Sequence, residues 1–156
     1  MQIRTMQPGD IPACAEILCS VYNNEVWQCR WAQDTAAAYL TDITRMPRFL
    51  GYVAEEEGAV LGAIFARENI WWNNSEVYVE EMFIRPELQR QGLGGRLIQR
   101  VEDDAHSRGL AGITLSTNRH APAAQFYRKH GFANCEHVFF LAKEIHDDHE
   151  CEANHR

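Results

Sequence analysis

Two adjacent glutamates, Glu80 and Glu81, lie inside an otherwise apolar run that predicts a β-strand over residues 77–84. Burying a carboxylate without a partner is costly, so two acids at this place indicate a role beyond packing. Such acids can bind a cationic amine and accept its proton, because an alkylamine has a pKa near ~10.4 and attacks a carbonyl carbon only when neutral. A structural salt bridge with a neighbouring arginine is the alternative, and the residues alone leave it open.

The faces of this strand decide which glutamate can reach a shared site. Neighbouring residues of a regular strand point to opposite faces of the sheet. Regular alternation therefore predicts two sets, one on each face: Val77, Val79, Glu81 and Phe83, and Tyr78, Glu80, Met82 and Ile84. At most one of the two glutamates lies on a given face, unless a β-bulge reorients them.

A glycine-rich loop follows the strand and opens an amphipathic helix. It reads Gln89-Arg90-Gln91-Gly92-Leu93-Gly94-Gly95. Glycines let backbone amides approach a ligand closely, and the N–H groups and dipole of a helix N-terminus favour an anion. Residues 85–100 hold four arginines and one acid, a local excess of +3 in a chain of net charge −7. The loop is neither a Walker loop nor Gly-x-Gly-x-x-Gly, and it predicts a cradle for the phosphates of a polyanionic cofactor.

Aromatic residues are candidates for the acceptor side of such a site. Trp27 and Trp31 are four residues apart and would share one face of a helix, if that segment is helical. With Trp71, Trp72 and Tyr78 they could wall a pocket or stack on a cation. They could equally belong to the core or to a dimer surface, and the residues alone leave these roles open.

The elements that must position these residues follow from hydrophobic periodicity. Helical spacing predicts four helices, over residues 11–21, 36–40, 93–105 and 122–130. Alternation and turn residues predict six strands, over residues 3–6, 50–54, 60–66, 77–84, 113–115 and 138–142. An antiparallel hairpin ahead of a strand–helix–strand unit excludes a purely doubly wound sheet. It favours the α/β class in its α+β form, with a mixed sheet.

Composition bounds the classes of function. With 156 residues, 46% hydrophobic and 24% charged, the chain is typical of one globular domain, expected over residues 1–145 with a polar tail over residues 146–156. The net charge of −7 argues against nucleic acid as a partner. No apolar run approaches the roughly 20 residues of a membrane span. Five scattered cysteines and no apolar leader favour a reduced, cytoplasmic protein.

Histidine and cysteine residues cluster in the polar tail. They are His146, His149, Cys151 and His155. Their spacing matches no standard zinc pattern, so we expect no metal site there.

The order of these signals resembles the GNAT superfamily of acetyltransferases. Its hallmark loop is present as Gln89-Arg90-Gln91-Gly92-Leu93-Gly94, and its late helix as Ala121 to Phe132, with Phe126-Tyr127 and Gly131-Phe132 at its end. The resemblance is good over residues 76–142 and holds only in outline over the first half. It implies the GNAT fold: a mixed, mostly antiparallel central sheet flanked by helices, with a splayed parallel strand pair that binds acetyl-CoA.

The resemblance also implies roles for individual residues. The backbone of Met82, Phe83 and Ile84 is implied to pair with the pantetheine arm like an added strand, beside a bulge that opens the parallel pair. Tyr127 matches the tyrosine that protonates the departing thiolate of coenzyme A. The amides implied to hold the pyrophosphate are those of Arg90, Gln91, Gly92, Leu93, Gly94 and Gly95.

One departure from the family pattern concerns the cofactor. Many relatives have a cofactor-contacting Asn seven residues before the tyrosine that Tyr127 matches. This chain has His120 there, with Asn118 two residues earlier, and either could take that role. A solvated loop histidine is the simpler interpretation of His120.

These residues predict an acyl-CoA-dependent N-acetyltransferase of the EC 2.3.1 class. Acetyl-CoA is the co-substrate, and the acceptor is the primary amine of a small cationic molecule, with polyamine-like and aminoglycoside-like compounds leading. Glu80 and Glu81 are the predicted catalytic and acceptor-binding acids, and Trp27 and Trp31 are further acceptor contacts. A protein Lys or N-terminal acceptor and a non-catalytic acetyl-CoA sensor stay open as alternatives. Family analogy also favours a homodimer.

Overall fold

A computed structural model describes residues 1–145 of the chain. The sheet has five strands: β1 (Gln2–Thr5), β2 (Phe49–Glu56), β3 (Ala59–Asn69), β4 (Glu76–Ile84) and β5 (Ile113–Thr114). The helices are α1 (Ile11–Tyr22), α2 (Gln33–Thr44), α3 (Leu93–Ser107) and α4 (Pro122–Lys129). The strands stand in chain order, with β1 to β4 antiparallel to their neighbours and β5 parallel to β4. The predicted mixed α+β sheet is confirmed.

Two sequence signals explain the local structure of the first half. Glu57 and Gly58 join β2 to β3 with φ angles of 50° and 83°, and two positive φ angles in a row are what a tight hairpin turn of this hand requires. Asp10 precedes α1 as expected for an N-cap, but its side chain makes no capping bond to the helix. Its carboxylate instead accepts hydrogen bonds from the Arg4 guanidinium, at 2.8 Å, which ties the start of α1 to β1.

The sheet separates two hydrophobic cores. Helices α1 and α2 cover one face, where Ile17, Leu18, Leu40 and Phe65 are buried. Helices α3 and α4 cover the other face, where Leu97, Ile98 and Val101 are buried. Alternation along β3 divides its side chains between the two cores, as a sheet covered on both faces requires.

A β-bulge interrupts the pairing of β3 and β4 beside the two glutamates. Phe65 pairs with Glu81, whereas Ala66 pairs with Val79, so Glu80 has no partner on β3. Val79 packs in the α3/α4 core, and Phe83 packs in the α1/α2 core. The prediction that Val77, Val79, Glu81 and Phe83 share one face is therefore wrong, because the extra residue inverts the alternation in the second half of β4.

Two other predictions from the sequence are wrong. Trp27 and Trp31 do not share a helix face, because α1 ends at Tyr22 and residues 23–32 form a turn and an irregular segment before α2. Residues 138–142 form no strand, and Val138, Phe139, Phe140 and Leu141 are 59–85% exposed. A run of apolar residues becomes a strand only where an edge pairs with it, and β5, with two residues, pairs only with β4.

Within residues 1–145, no helix is both long and apolar enough to cross a membrane. The histidines and cysteine of the predicted tail lie outside the described residues.

Candidate active site

Glu81 lies where helices α1 and α2 meet the bulged strand. Its Oε2 accepts a hydrogen bond from the Tyr22 hydroxyl at 2.9 Å, and its Oε1 accepts one from the Tyr39 hydroxyl at 2.5 Å. Tyr22 is the last residue of α1, and Tyr39 lies within α2. The carboxylate is thus fixed between two helices that the chain reaches long before β4.

The surroundings of Glu81 adjust its proton affinity. Burial raises the pKa of Glu81, the hydrogen bonds from Tyr39 and Tyr22 lower it, and the charge of Glu80 raises it again, with a net rise. Burial and then the Glu81 charge raise the pKa of Tyr22 well above its ordinary value, so this hydroxyl remains a donor. A carboxyl whose pKa moves toward neutrality is better matched to accept a proton near pH 7.

Glu80 has a different environment although it adjoins Glu81 in sequence. Its Oε1 accepts a hydrogen bond from Nε of Arg67 at 2.8 Å, within an ion pair that is mostly shielded from water. Arg67 also lies over the ring of Tyr78, 5.3 Å from its centroid, and its Nη1 donates to Asn69. The salt bridge that the sequence left as an alternative is therefore present at Glu80.

Tyr127 approaches the same place from the other side of the sheet. It lies on α4, is 9% exposed and packs in the α3/α4 core against Phe126 and Phe132. Burial raises the pKa of Tyr127, and the charge of Glu81 raises it further. The phenol is therefore kept as a proton donor.

The edge of β4 next to these residues has no strand partner for most of its length. β5 pairs with Val77 and Tyr78 only. Beyond them, Met82, Phe83 and Ile84 pair with β3 on one side, and within residues 1–145 no strand pairs with their other side. The Nε2 atom of Gln89 donates a hydrogen bond to the carbonyl of Ile84 at 3.2 Å, so the loop already satisfies one backbone acceptor here.

The glycine loop ends at the N-terminus of α3. Arg90 has a φ of 64° and Gly92 a φ of 84°, so the chain turns sharply before the helix. The first bond of the helix runs from the Arg96 amide to the Gly92 carbonyl at 3.1 Å. The preceding amides of Leu93, Gly94 and Gly95 therefore lack intrahelical acceptors and can bind an anion.

Helix α4 packs directly on the first turn of α3. A Cβ atom on Gly94 would come within 2.9 Å of Cζ of Phe126, and one on Gly95 within 2.8 Å of Nε2 of His130. The His130 ring is itself held by its Nδ1 contact with the Phe126 carbonyl at 2.9 Å and by the Phe126 ring. Both glycines are thus required by close packing as well as by access to the amides.

The arginines around the loop divide into two groups. Arg85 donates to the Val60 carbonyl and pairs with Glu16, and Arg100 lies over the ring of Tyr52. These two have structural partners, whereas Arg90 makes no hydrogen bond or ion pair with residues 1–145. Arg96, on the first turn of α3, donates to the Met1 sulfur at 3.5 Å. Arg90 and Arg96 are therefore the arginines of this group without an acidic partner within residues 1–145, and both can serve an anionic ligand.

Asn118 and His120 shape the turn that leads into α4. Oδ1 of Asn118 accepts a hydrogen bond from the His120 amide at 2.8 Å, and the Asn118 carbonyl accepts one from Ala121. The oxygen of the Asn118 side chain thus already accepts a hydrogen bond within the turn. The His120 side chain is exposed, in agreement with the simpler interpretation of this residue.

The predicted acceptor contacts lie close to the tyrosines that hold Glu81. The Trp27 ring packs edge-on against Tyr22, with centroids 5.1 Å apart, and the Trp31 ring stacks on Tyr39 at 5.2 Å. Trp71 and Trp72 lie in the β3–β4 connection, at the end of β4 opposite to the glycine loop. The structure thus brings Trp27 and Trp31, but not Trp71 and Trp72, to the neighbourhood of Glu81.

Sequence reasoning missed the residues that hold the two glutamates, which are Tyr22, Tyr39 and Arg67. Tyr22 and Tyr39 lie 59 and 42 residues from Glu81 in the chain, and no local spacing connects them. Arg67 was detectable in principle, because a hairpin of β3 and β4 sets an arginine opposite the acids. What the sequence did not reveal was the pairing register of β3 and β4, because the bulge shifts it.

Comparison with known proteins finds a curated relative. This relative, the "IAA acetyltransferase" of Azospirillum brasilense, is 35% identical over 88 residues, which are 56% of this chain and 55% of that protein. The chain thus spans about half the length of that relative.

Solved structures share the fold at low sequence identity. The structure of AAC(6')-Iy with a CoA-S-monomethyl-acetylneamine bisubstrate analogue has a TM-score of 0.70 and 19% identity, over 92% of this chain and 97% of that one. A ribosomal-protein-alanine N-acetyltransferase from Brucella melitensis biovar Abortus 2308 has a TM-score of 0.73 and 16% identity, over 92% and 100%. The family model of the acetyltransferase (GNAT) domain matches residues 47–134, and the chain therefore belongs to the GNAT family.

Proposed function

We propose that this chain transfers the acetyl group of acetyl-CoA directly to the primary amine of a small acceptor that is cationic in solution. The observation that carries the proposal is the environment of Glu81, a shielded carboxylate that is held by two tyrosines and whose charge raises the pKa of Tyr127. A group that accepts a proton and a group that donates one lie on the two sides of the unpaired edge of β4. Amine acetylation needs both.

Glu81 is the base in this proposal. It binds the ammonium of the acceptor and takes its proton, directly or through water, which leaves the nitrogen lone pair able to attack. Because the pKa of Glu81 is raised, it lies closer to the pKa of the ammonium than that of an ordinary carboxylate does, and the proton transfer is less unfavourable. Glu80 acts through its ion pair with Arg67, which holds the bulged strand and leaves Glu81 as the acid of the two that has no cationic partner within residues 1–145.

Tyr127 is the acid. Its raised pKa keeps the phenol protonated at neutral pH, so it can give its proton to the sulfur that leaves as the new amide bond forms. Acetyl-CoA supplies the activated acetyl group as a thioester. The first-turn amides of α3 and the Arg90 side chain suit its pyrophosphate, and the unpaired edge of Met82 to Ile84 suits its pantetheine arm.

A thiol-release assay with acetyl-CoA and a panel of amines tests the proposal. We expect turnover with at least one class of small amine, and we expect Glu81→Gln and Tyr127→Phe to abolish most of it while acetyl-CoA affinity, measured by calorimetry, is kept. Glu57→Gln, which removes an acid in the exposed β2–β3 turn, is the matched control. Tight acetyl-CoA binding without turnover on any amine or peptide would favour a non-catalytic sensor instead.

A protein acceptor is the other class to exclude. Short peptides with a free N-terminus or a lysine belong in the same panel, and turnover restricted to them would overturn the small-molecule proposal. The homodimer predicted from the family is tested separately, by light scattering on the purified protein.

A further inference from the structure

Four aromatic side chains surround Glu81 as two tyrosine–tryptophan pairs. Tyr22 and Tyr39 donate hydrogen bonds to the two carboxylate oxygens, while Trp27 packs on the first tyrosine and Trp31 on the second. We call Tyr22, Trp27, Trp31 and Tyr39 the aromatic wall. The base of the proposed reaction thus contacts a tyrosine of α1 and a tyrosine of α2, and each tyrosine packs on a tryptophan.

The aromatic wall retains contact with solvent. All four side chains are of intermediate exposure, whereas Phe65, in the adjacent core, is 0% exposed. Tyr22, Trp31 and Tyr39 pack against that core, while the Trp27 ring contact within residues 1–145 is with Tyr22. Rings that serve only the core are expected to be covered, so partly exposed rings beside a half-buried acid form a surface suited to a ligand.

The segment that carries the two tryptophans is fixed by asparagine side chains. The amide group of Asn23 donates to the Trp31 carbonyl at 2.9 Å and accepts from the Trp31 amide at 2.7 Å. Oδ1 of Asn24 accepts hydrogen bonds from the amides of Val26 and Trp27, at 2.9 and 3.0 Å. The aromatic wall is therefore preformed, which reduces the entropic cost of binding a ligand.

The charges at this place fit one cation. Within residues 1–145, Glu81 has hydrogen-bond donors but no cationic partner, whereas the neighbouring acid, Glu80, is paired with Arg67. Glu81 is thus the one carboxylate of this pair that is open to an ammonium, and a second ammonium group would lack an ion-pair partner there. The arrangement thus opposes the multiply charged acceptors that the sequence placed first.

We propose that the acceptor is an aromatic monoamine, whose single ammonium group binds Glu81 and whose flat ring packs against the aromatic wall. The inference rests on the proposed function and names its substrate class. Ring-on-ring packing contributes beyond the area that it buries, and the ammonium gains from the faces of the neighbouring rings. A short linker between the acceptor's nitrogen and its ring suits this arrangement, because each tryptophan packs on a tyrosine that binds Glu81.

The experiment compares kcat/KM for 2-phenylethylamine and tryptamine with kcat/KM for hexylamine, spermidine and kanamycin, in the thiol-release assay with the full chain. We expect the aromatic monoamines to exceed the others by about tenfold or more, which corresponds to one favourable aromatic contact. Trp27→Leu should raise KM for tryptamine about tenfold, and should raise it by a larger factor than it raises KM for hexylamine.

Trp72→Leu is the matched control, since Trp72 is 84% exposed in the β3–β4 connection and lies away from Glu81. Equal or better turnover of spermidine or kanamycin would overturn the aromatic class while the acetyltransferase function stands. An unchanged KM for tryptamine in Trp27→Leu would also overturn it, provided that the thermal melt shows a folded variant. No turnover on any amine would remove the proposed function and this inference together.

Discussion

The proposed cofactor side and the proposed acceptor side of the site are built in opposite ways. The cofactor side consists of seven consecutive residues, Gln89 to Gly95, whose backbone amides and glycines can be identified from the sequence. The acceptor side joins Glu81 to residues 42 and 59 positions away, through side-chain hydroxyls. Recognition by the backbone is thus a local property of the chain, whereas recognition by side chains is set by tertiary structure.

The largest expected effect is on the acceptor side. Glu81→Gln keeps one oxygen as an acceptor, replaces the other with an NH2 group and removes the base, so we expect kcat/KM to fall by about 10²–10⁴-fold with little change in acetyl-CoA affinity. Steady-state kinetics and calorimetry on the same preparation measure both quantities. A loss below about fivefold would mean that another group, or water alone, removes the proton.

Glu80→Gln sharpens the contrast between the two neighbouring acids. It leaves the Arg67 guanidinium without its ion-pair partner, so we expect a stability loss of about 1 kcal/mol and a much smaller loss of kcat/KM than in Glu81→Gln. Denaturant unfolding and kinetics measure the two effects. Equal kinetic losses in the two variants would contradict the assignment of separate roles.

Tyr127→Phe is expected to have the next largest effect on the rate. The ring keeps its packing against Phe126 and Phe132 while the proton donor is lost, so we expect kcat to fall by about 10–10²-fold at an unchanged melting temperature. Since burial and Glu81 raise the pKa of Tyr127, the wild-type rate should show no alkaline limb from this residue below about pH 10. Stopped assays across this pH range test both statements.

A smaller effect is expected on the cofactor side. Gly95→Ala would favour a helix by propensity, but its Cβ would lie 2.8 Å from Nε2 of His130, so we expect a net stability loss of about 1–3 kcal/mol. His130→Ala in the same chain removes the clash, and a double-mutant cycle by denaturant unfolding should show a favourable coupling between the two changes. If the stability losses of the two single variants simply add in the double variant, the close contact between residues 95 and 130 costs no stability.

The smallest expected effect is on the pH dependence of stability. The pKa of Glu81 is raised in the folded protein, so between the ordinary glutamate value of about 4.3 and the raised value the folded state binds more protons than the unfolded state. The free energy of unfolding therefore falls as pH rises through that window. Glu81→Gln lacks this loss, so its melting temperature relative to wild type should rise across the window and then level off.

Elements with a local signal were predictable from the sequence. The turn at Glu57 and Gly58, the helix after the glycine loop and the α4 helix that carries Tyr127 lie where periodicity and turn residues predict them. In each case, the residues that determine the structure are within a few positions of one another. The strand ends differ by a few residues, as expected where hydrogen bonding rather than composition sets the boundary.

Elements set by distant contacts were not predictable. The faces of Glu80 and Glu81 depend on one extra residue between Val79 and Glu81, and the pairing that reveals it involves β3. Trp27 and Trp31 have helical spacing, but α1 ends at Tyr22, and the side chains of Asn23 and Asn24 then bind the backbone of Val26, Trp27 and Trp31 in a non-helical segment. The apolar residues 138–142 have the composition of a strand, but a strand needs a neighbour that composition does not supply.

The bulge means that Glu80 can be removed from β4 without turning any other side chain. Deleting it would let Glu81 follow Val79 in a regular strand, with Val79 still in the α3/α4 core and Phe83 still in the α1/α2 core. Because residues 80 and 81 are both glutamate, deletion of either one leaves the same sequence. In evolutionary terms, a single-codon insertion is enough to convert an uninterrupted strand into one that presents two acids side by side.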